Sequence, residues 1–278
     1  MRIDSHVHLW RYNEAEYAWI TDEMAAIKRD FMPEDWRTVA EPLGFEGFIA
    51  VQARQTFEET LWLLELAGEH EVIRGVVGWV DLRNPAVDEH LEILCDHTKL
   101  AGVRHVVQDE PDPRLMLQSE FLRGVGKLGR CDLTYDILVY ARQLPAAAEM
   151  VGHFPRQRFV LDHIGKPDIR AGEIDAWASG IRALAEHENV WCKLSGMVTE
   201  AQWDAWTPES LRPYLDVVFE AFGPERLMIG ADWPACLVAG SYAETVGVVL
   251  DYITEMPEEH RRAIVGENCA RAYQTGEA

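Results

Sequence analysis

The first ten residues, Met1-Arg2-Ile3-Asp4-Ser5-His6-Val7-His8-Leu9-Trp10, decide how the chain is read. Arg2–His8 reads as a short β-strand, and residues two apart on a strand face the same side. The imidazoles of His6 and His8 therefore converge on one point. Two convergent imidazoles can bind a divalent cation or polarise an oxygen. A His-x-His pair also arises by chance, so its weight depends on what the rest of the chain builds around it.

Outward from this strand, seven more β-type runs recur: Glu46–Ala53, Ile73–Leu82, Ala101–Gln108, Leu133–Tyr140, Arg158–Ile164, Val190–Gly196 and Arg226–Ala231. Several are almost continuously apolar, as parallel strands covered on both faces should be. Between them lie segments with helical spacing of apolar residues, clearest in Glu173–His187 and Leu211–Phe222. Eight strand–helix units in 278 residues, with no Pro/Gly/Ser-rich linker, predict an α/β fold of one domain over residues 1–278. The expected form is a (β/α)8 TIM barrel, a fold of typically ~250 residues. An open doubly wound sheet is the competing architecture.

Loops that follow the strands of a barrel form its functional face. Two are long. Leu9–Leu43 carries Trp10, Tyr12, Tyr17, Trp19 and Trp36, and Val198–Ser210 carries Trp203 and Trp206. They are expected to act as binding walls or to pack on the rim. Two further strand ends carry polar residues. Leu161-Asp162-His163-Ile164-Gly165-Lys166-Pro167 puts His163 where an apolar run gives way to a turn. Ile229-Gly230-Ala231-Asp232-Trp233-Pro234 ends the last run on Asp232, with Gly230 permitting close approach of a backbone or ligand. Taken singly, His163 reads equally as hydrogen-bonded structure and Asp232 as a helix N-cap.

Composition narrows the classes. The 26 Lys+Arg against 47 Asp+Glu give a net charge of -21, which disfavours nucleic acid and anionic membranes as partners. No run approaches the ~20 apolar residues of a membrane span, and the N-terminal residues lack an apolar signal core. A cytoplasmic protein is expected, acting on a small molecule, with its oligomeric state open. Cys95, Cys131, Cys192, Cys236 and Cys269 are odd in number and scattered, which predicts reduced, mostly buried thiols.

His-x-His at the first strand end, His163 near the sixth and Asp232 at the eighth resemble the amidohydrolase superfamily. The blocks MRIDSHVHLW (1–10), GVRH (102–105), LDHIGKP (161–167), WCKLSGM (191–197) and GADWP (230–234) resemble its sugar-lactone lactonase branch, which acts on L-fuconolactone and L-rhamnonolactone. The resemblance implies an amidohydrolase-type barrel that opens an aldonolactone to its sugar acid. His6, His8, His163 and Asp232 would be catalytic, with Asp232 activating water. Gln52, Arg104, His105 and Tyr140 lie near strand ends and are expected to bind substrate hydroxyls.

The chain departs from the binuclear members of the superfamily. Their fourth-strand lysine is replaced by the run GVRHVVQ, and their fifth-strand histidine by Ile137-Leu138-Val139-Tyr140. Lys99, Lys166 and Lys193 do not fill the gap. One divalent ion on His6, His8 and Asp232, zinc first, therefore stands beside metal-free catalysis as an open alternative. Three competing functions also stay open. These are a metal-dependent decarboxylase on the same barrel, a lactonase for a pyrone or muconolactone carboxylate, and a non-catalytic barrel that binds a sugar acid. The carboxylate lactonase would call for an arginine cluster, of which only Arg54 and Arg104 are present.

Overall fold

The computed structural model describes residues 1–276. Eight parallel strands, β1 (Ile3–Val7), β2 (Gly47–Val51), β3 (Ile73–Gly78), β4 (Leu100–Val106), β5 (Thr134–Leu138), β6 (Phe159–Leu161), β7 (Val190–Leu194) and β8 (Leu227–Ile229), pair in sequence order. β1, β2 and β5 are buried along their whole length; β2 is apolar throughout, whereas β1 and β5 also bury Asp4, His6 and Asp136. Helices cover the outside of the sheet. Several begin on side-chain caps: Thr56 accepts from the Glu59 amide, Thr207 from that of Ser210, and Ser241 from that of Glu244. Among the described residues no helix is long and apolar enough to cross a membrane.

The seam between β8 and β1 determines the active end. β8 is three residues long, and the seam is closed by single bonds rather than a ladder. His8 N donates to Trp233 O at 2.7 Å and Asp232 N to His6 O at 3.0 Å. Beneath them the buried Asp4 Oδ1 accepts from the amides of His6 and Ala231, each at 3.0 Å, and Asp4 Oδ2 accepts from Tyr242 Oη at 3.0 Å. One carboxylate thus satisfies donors from both strands where backbone acceptors are missing. Gly230 is required at this seam, because a Cβ there would lie 2.8 Å from Ser5 Oγ and 3.2 Å from His6 Cβ. The seam bonds therefore set His6, His8 and Asp232 side by side.

The opposite end of the barrel is sealed. Ile3, Ile49, Val51, Val77 and Met228 form an apolar layer inside it, closed by Cys269, Ala272 and Tyr273 of the C-terminal helix Asn268–Tyr273. Thr134 Oγ1 donates to Ala272 O at 2.6 Å and holds that plug in place.

The structure corrects the reading of the cysteines. Cys95 ends the helix Val87–Cys95, and Cys131 follows the helix Ser119–Leu128 on the neighbouring unit. The two are disulfide-bonded, with Cα atoms 5.4 Å apart. Their separation of 36 residues is about one strand–helix repeat, which brings them to the same height on adjacent helices. Cys192, Cys236 and Cys269 are free and buried.

Candidate active site

His6, His8, His163 and Asp232 meet at the strand C-termini. His8 Nδ1 lies 2.8 Å from Val51 O and must donate to it, which leaves its Nε2 for the site. That Nε2 lies 3.1 Å from His6 Nε2. Asp232 Oδ1 stands 3.4 Å from His8 Nε2, 3.7 Å from His6 Nε2 and 4.0 Å from His163 Nε2. His163 Nδ1 is 2.9 Å from Ser195 Oγ, at the end of β7. Both Asp232 (φ 56°) and His163 (φ 53°) occupy the left-handed region, an arrangement that costs energy and persists where surroundings enforce it. Gly196 forms the bed for His163, since a Cβ there would sit 2.6 Å from its ring.

The electrostatics separate the roles. Burial pushes His163 down to about 4, and burial together with the Lys193 charge holds His6 well below its ordinary value. Both imidazoles are therefore neutral near pH 7. Burial alone would raise Asp232, but His163 and the other two histidines outweigh it and hold this carboxyl well below the usual carboxylate range. An ionised carboxylate thus stands beside the neutral imidazoles of His6 and His163, at the edge of a cavity of ≈ 840 Å³.

A second buried group lies beneath. Lys193 Nζ reaches Asp136 Oδ2 at 2.6 Å and Asp162 Oδ1 at 2.9 Å, and Arg104 Nη1 reaches Asp162 Oδ2 at 2.9 Å. Tyr273 from the C-terminal plug donates to Asp136 Oδ2 at 2.7 Å. Two cations face two carboxylates, and this layer underpins His6, whose Nδ1 is 3.2 Å from Lys193 Nζ and 3.4 Å from Asp162 Oδ1.

Of the residues expected to bind substrate, Gln52, Arg104 and Tyr140 line the cavity. Arg104 is held by Gln52, with Nη2 donating to Gln52 O and Oε1, each at 2.6 Å. His105 does not line the cavity. It is the next residue on β4, so it points outward, where its Nε2 bonds Glu110 Oε1 at 2.8 Å and its ring packs edge-on against Phe121. The long loops divide similarly. Trp19 and Trp203 line the cavity, whereas Trp10, Tyr17 and Phe31 form an aromatic cluster against Trp233 on the rim. Ser195, Asp162, Lys166 and Glu200 escape the sequence reading as site residues. The signal for Asp162 was a charge closing an apolar strand, which must find a buried partner.

The donor set suits one divalent cation. His6, His8 and Asp232 offer ligand atoms all within 4.8 Å of one another, and Asp162 lies behind His6 as an outer carboxylate. Lys193, the lysine inside the barrel, is committed to Asp136 and Asp162.

A closed eight-stranded barrel with His-x-His on its first strand, His after its sixth and Asp after its eighth defines a hydrolase class of TIM barrel. Residues 3–275 match the Amidohydrolase family, and the chain belongs to it. It is similar to an L-fucono-1,5-lactonase of Burkholderia multivorans, with 40% identity over 284 residues, covering 98% of this chain and 96% of that protein. An L-fucono-1,5-lactonase of Burkholderia ambifaria is 36% identical over 245 residues, covering 87% and 83% respectively. The crystal structure of an amidohydrolase from Burkholderia multivorans with bound zinc superposes with a TM-score of 0.94 at 40% identity, covering 99% of each chain.

Proposed function

We propose that the chain hydrolyses a sugar lactone of the L-fuconolactone or L-rhamnonolactone type to its sugar acid, with Asp232 as the base that activates water. One observation carries this reading: an ionised carboxylate, beside the neutral imidazoles of His6 and His163, opens on a cavity whose cations are all paired. Arg54 pairs with Glu16 at 2.8 Å, Arg104 with Asp162 at 2.9 Å and Lys166 with Glu200 at 3.0 Å. Among the described residues no other lysine or arginine lines the cavity. A dicarboxylate would find no uncompensated positive charge there, whereas a neutral polyhydroxylated ring finds alternating donors and acceptors. The names of the curated relatives support the same substrate class.

In this mechanism water bound at Asp232 donates a proton to the carboxylate as its oxygen attacks the lactone carbonyl carbon. Negative charge develops on the carbonyl oxygen, and the His163 imidazole supplies an N–H donor at that side of the cavity. The ring C–O bond then breaks, and Asp232 returns its proton to the departing ring oxygen. When bound by His6, His8 and Asp232, a single zinc ion would add Lewis-acid polarisation of the carbonyl or of the water.

The test is a pH-indicator screen of aldonolactones with and without chelator, run beside an assay for CO2 release from unsaturated acids. Acid production from at least one six-carbon or deoxy-sugar lactone is expected. CO2 release with no lactone opened would overturn the reading in favour of a decarboxylase.

A further inference from the structure

β6 ends at Leu161, and the chain then makes a turn of rare handedness. His163, Ile164, Gly165 and Lys166 have φ of 53°, 49°, 70° and 45°, so four consecutive residues are left-handed and three of them carry a Cβ. A Cβ makes this conformation sterically costly, so the turn survives only because its surroundings enforce it. It is closed by Lys166 N donating to His163 O at 2.9 Å and anchored by Trp177 Nε1 donating to Ile164 O at 2.7 Å. Its result is that His163 and Lys166, three residues apart, both reach the same cavity.

Lys166 Nζ donates to Gln108 Oε1 at 2.9 Å and pairs with Glu200 Oε1 at 3.0 Å, with the Tyr140 ring centroid 5.2 Å away. The Lys166 and Glu200 side chains are 13% and 18% exposed, enough to reach the cavity while mostly desolvated. Burial would pull the ammonium toward neutrality, but Glu200 overrides it and holds it above its ordinary value. An ammonium carries three N–H donors, and two are used here. A cation and a carboxylate side by side cancel in charge yet leave one donor and one acceptor facing the cavity. A hydroxyl can accept from the first and donate to the second at once, and a hydrogen or a methyl group can do neither.

We propose that Lys166 and Glu200, poised by the left-handed turn, form a hydroxyl-reading pair that sets which sugar lactone is accepted. The proposal rests on the lactonase reading above and adds the residues that confer specificity.

The experiment measures kcat/KM of wild type, Lys166→Met and Glu200→Gln on a lactone that the wild type opens and on its single-deoxy analogues. For the wild type, one particular deoxy analogue should fall by about 10- to 100-fold, the range for a lost hydrogen bond to charged groups. In each variant the same removal should cost less than about threefold, because the partner is already gone. Glu200→Gln keeps the shape of the site and carries the test if Lys166→Met does not fold, as judged by circular dichroism. Variants that discriminate against every deoxy analogue as the wild type does would overturn the pair while leaving the lactonase reading intact. A wild type that opens no sugar lactone would overturn both.

Discussion

Two layers of buried ionisable groups lie one above the other in the barrel, and they are built differently. In the lower layer, Lys193, Arg104, Asp136 and Asp162 face one another at 2.6–2.9 Å. In the upper layer, Asp232 stands 3.4–4.0 Å from three histidines and opens on the cavity. Full pairing makes the lower layer a support, since a buried charge is tolerated only when it is matched. Incomplete pairing beside open space leaves the upper layer free to bind and exchange protons with a ligand. Substitutions below should therefore cost folding, and substitutions above should cost rate.

Lys193→Met puts the greatest strain on this distinction. It leaves Asp136 and Asp162 with one cation between them and should destabilise the protein by about 3–5 kcal/mol, read by urea denaturation. A variant as stable as wild type would show that the lower layer is not a support. Arg104 touches both layers, pairing with Asp162 and lining the cavity. Arg104→Ala should raise KM about tenfold or more, with a smaller fall in kcat, if it binds ground and transition states alike. An unchanged KM would return Arg104 wholly to the support.

The acid limb of the pH–rate profile sharpens the view of the upper layer. His163 is neutral down to about 4, so protonating it there places a full charge 4.0 Å from Asp232 and lowers the basicity of the carboxylate. The fall in kcat/KM should come near pH 4 rather than near the ordinary histidine value of about 6.5. The smallest effect is expected at His105, which faces away from the cavity. His105→Gln should change kcat/KM less than about threefold, because its bonds to Glu110 and from Trp79 Nε1 lie outside the cavity. A tenfold loss would place it back in the site.

Most of the fold was legible, for identifiable reasons. Buried parallel strands such as Gly47–Val51 are pure apolar runs, and alternation with helices left few architectures. The alternation that brought out His6 and His8 applies equally to Arg104 and His105, and it requires that only one of that adjacent pair face inward. The run read as a strand over Arg158–Ile164 stops at Leu161, because tertiary contacts force a left-handed turn that Ile164 and Lys166 would not adopt by local preference. The Asp4 clip and the Lys193 network were hidden for a related reason. Each unites residues far apart in the chain, and only barrel closure brings them together.

The most direct test of the account is kcat at saturating lactone for wild type and Asp232→Asn, with added zinc or manganese, beside a thermal melt of each protein. Asn is nearly isosteric with Asp but takes no proton at neutral pH. Removal of a positioned base typically costs ~10²–10⁴-fold, so a loss of that size with the melting temperature little changed and the rate not restored by metal is expected. A variant retaining more than about a tenth of wild-type kcat would contradict the role assigned to Asp232.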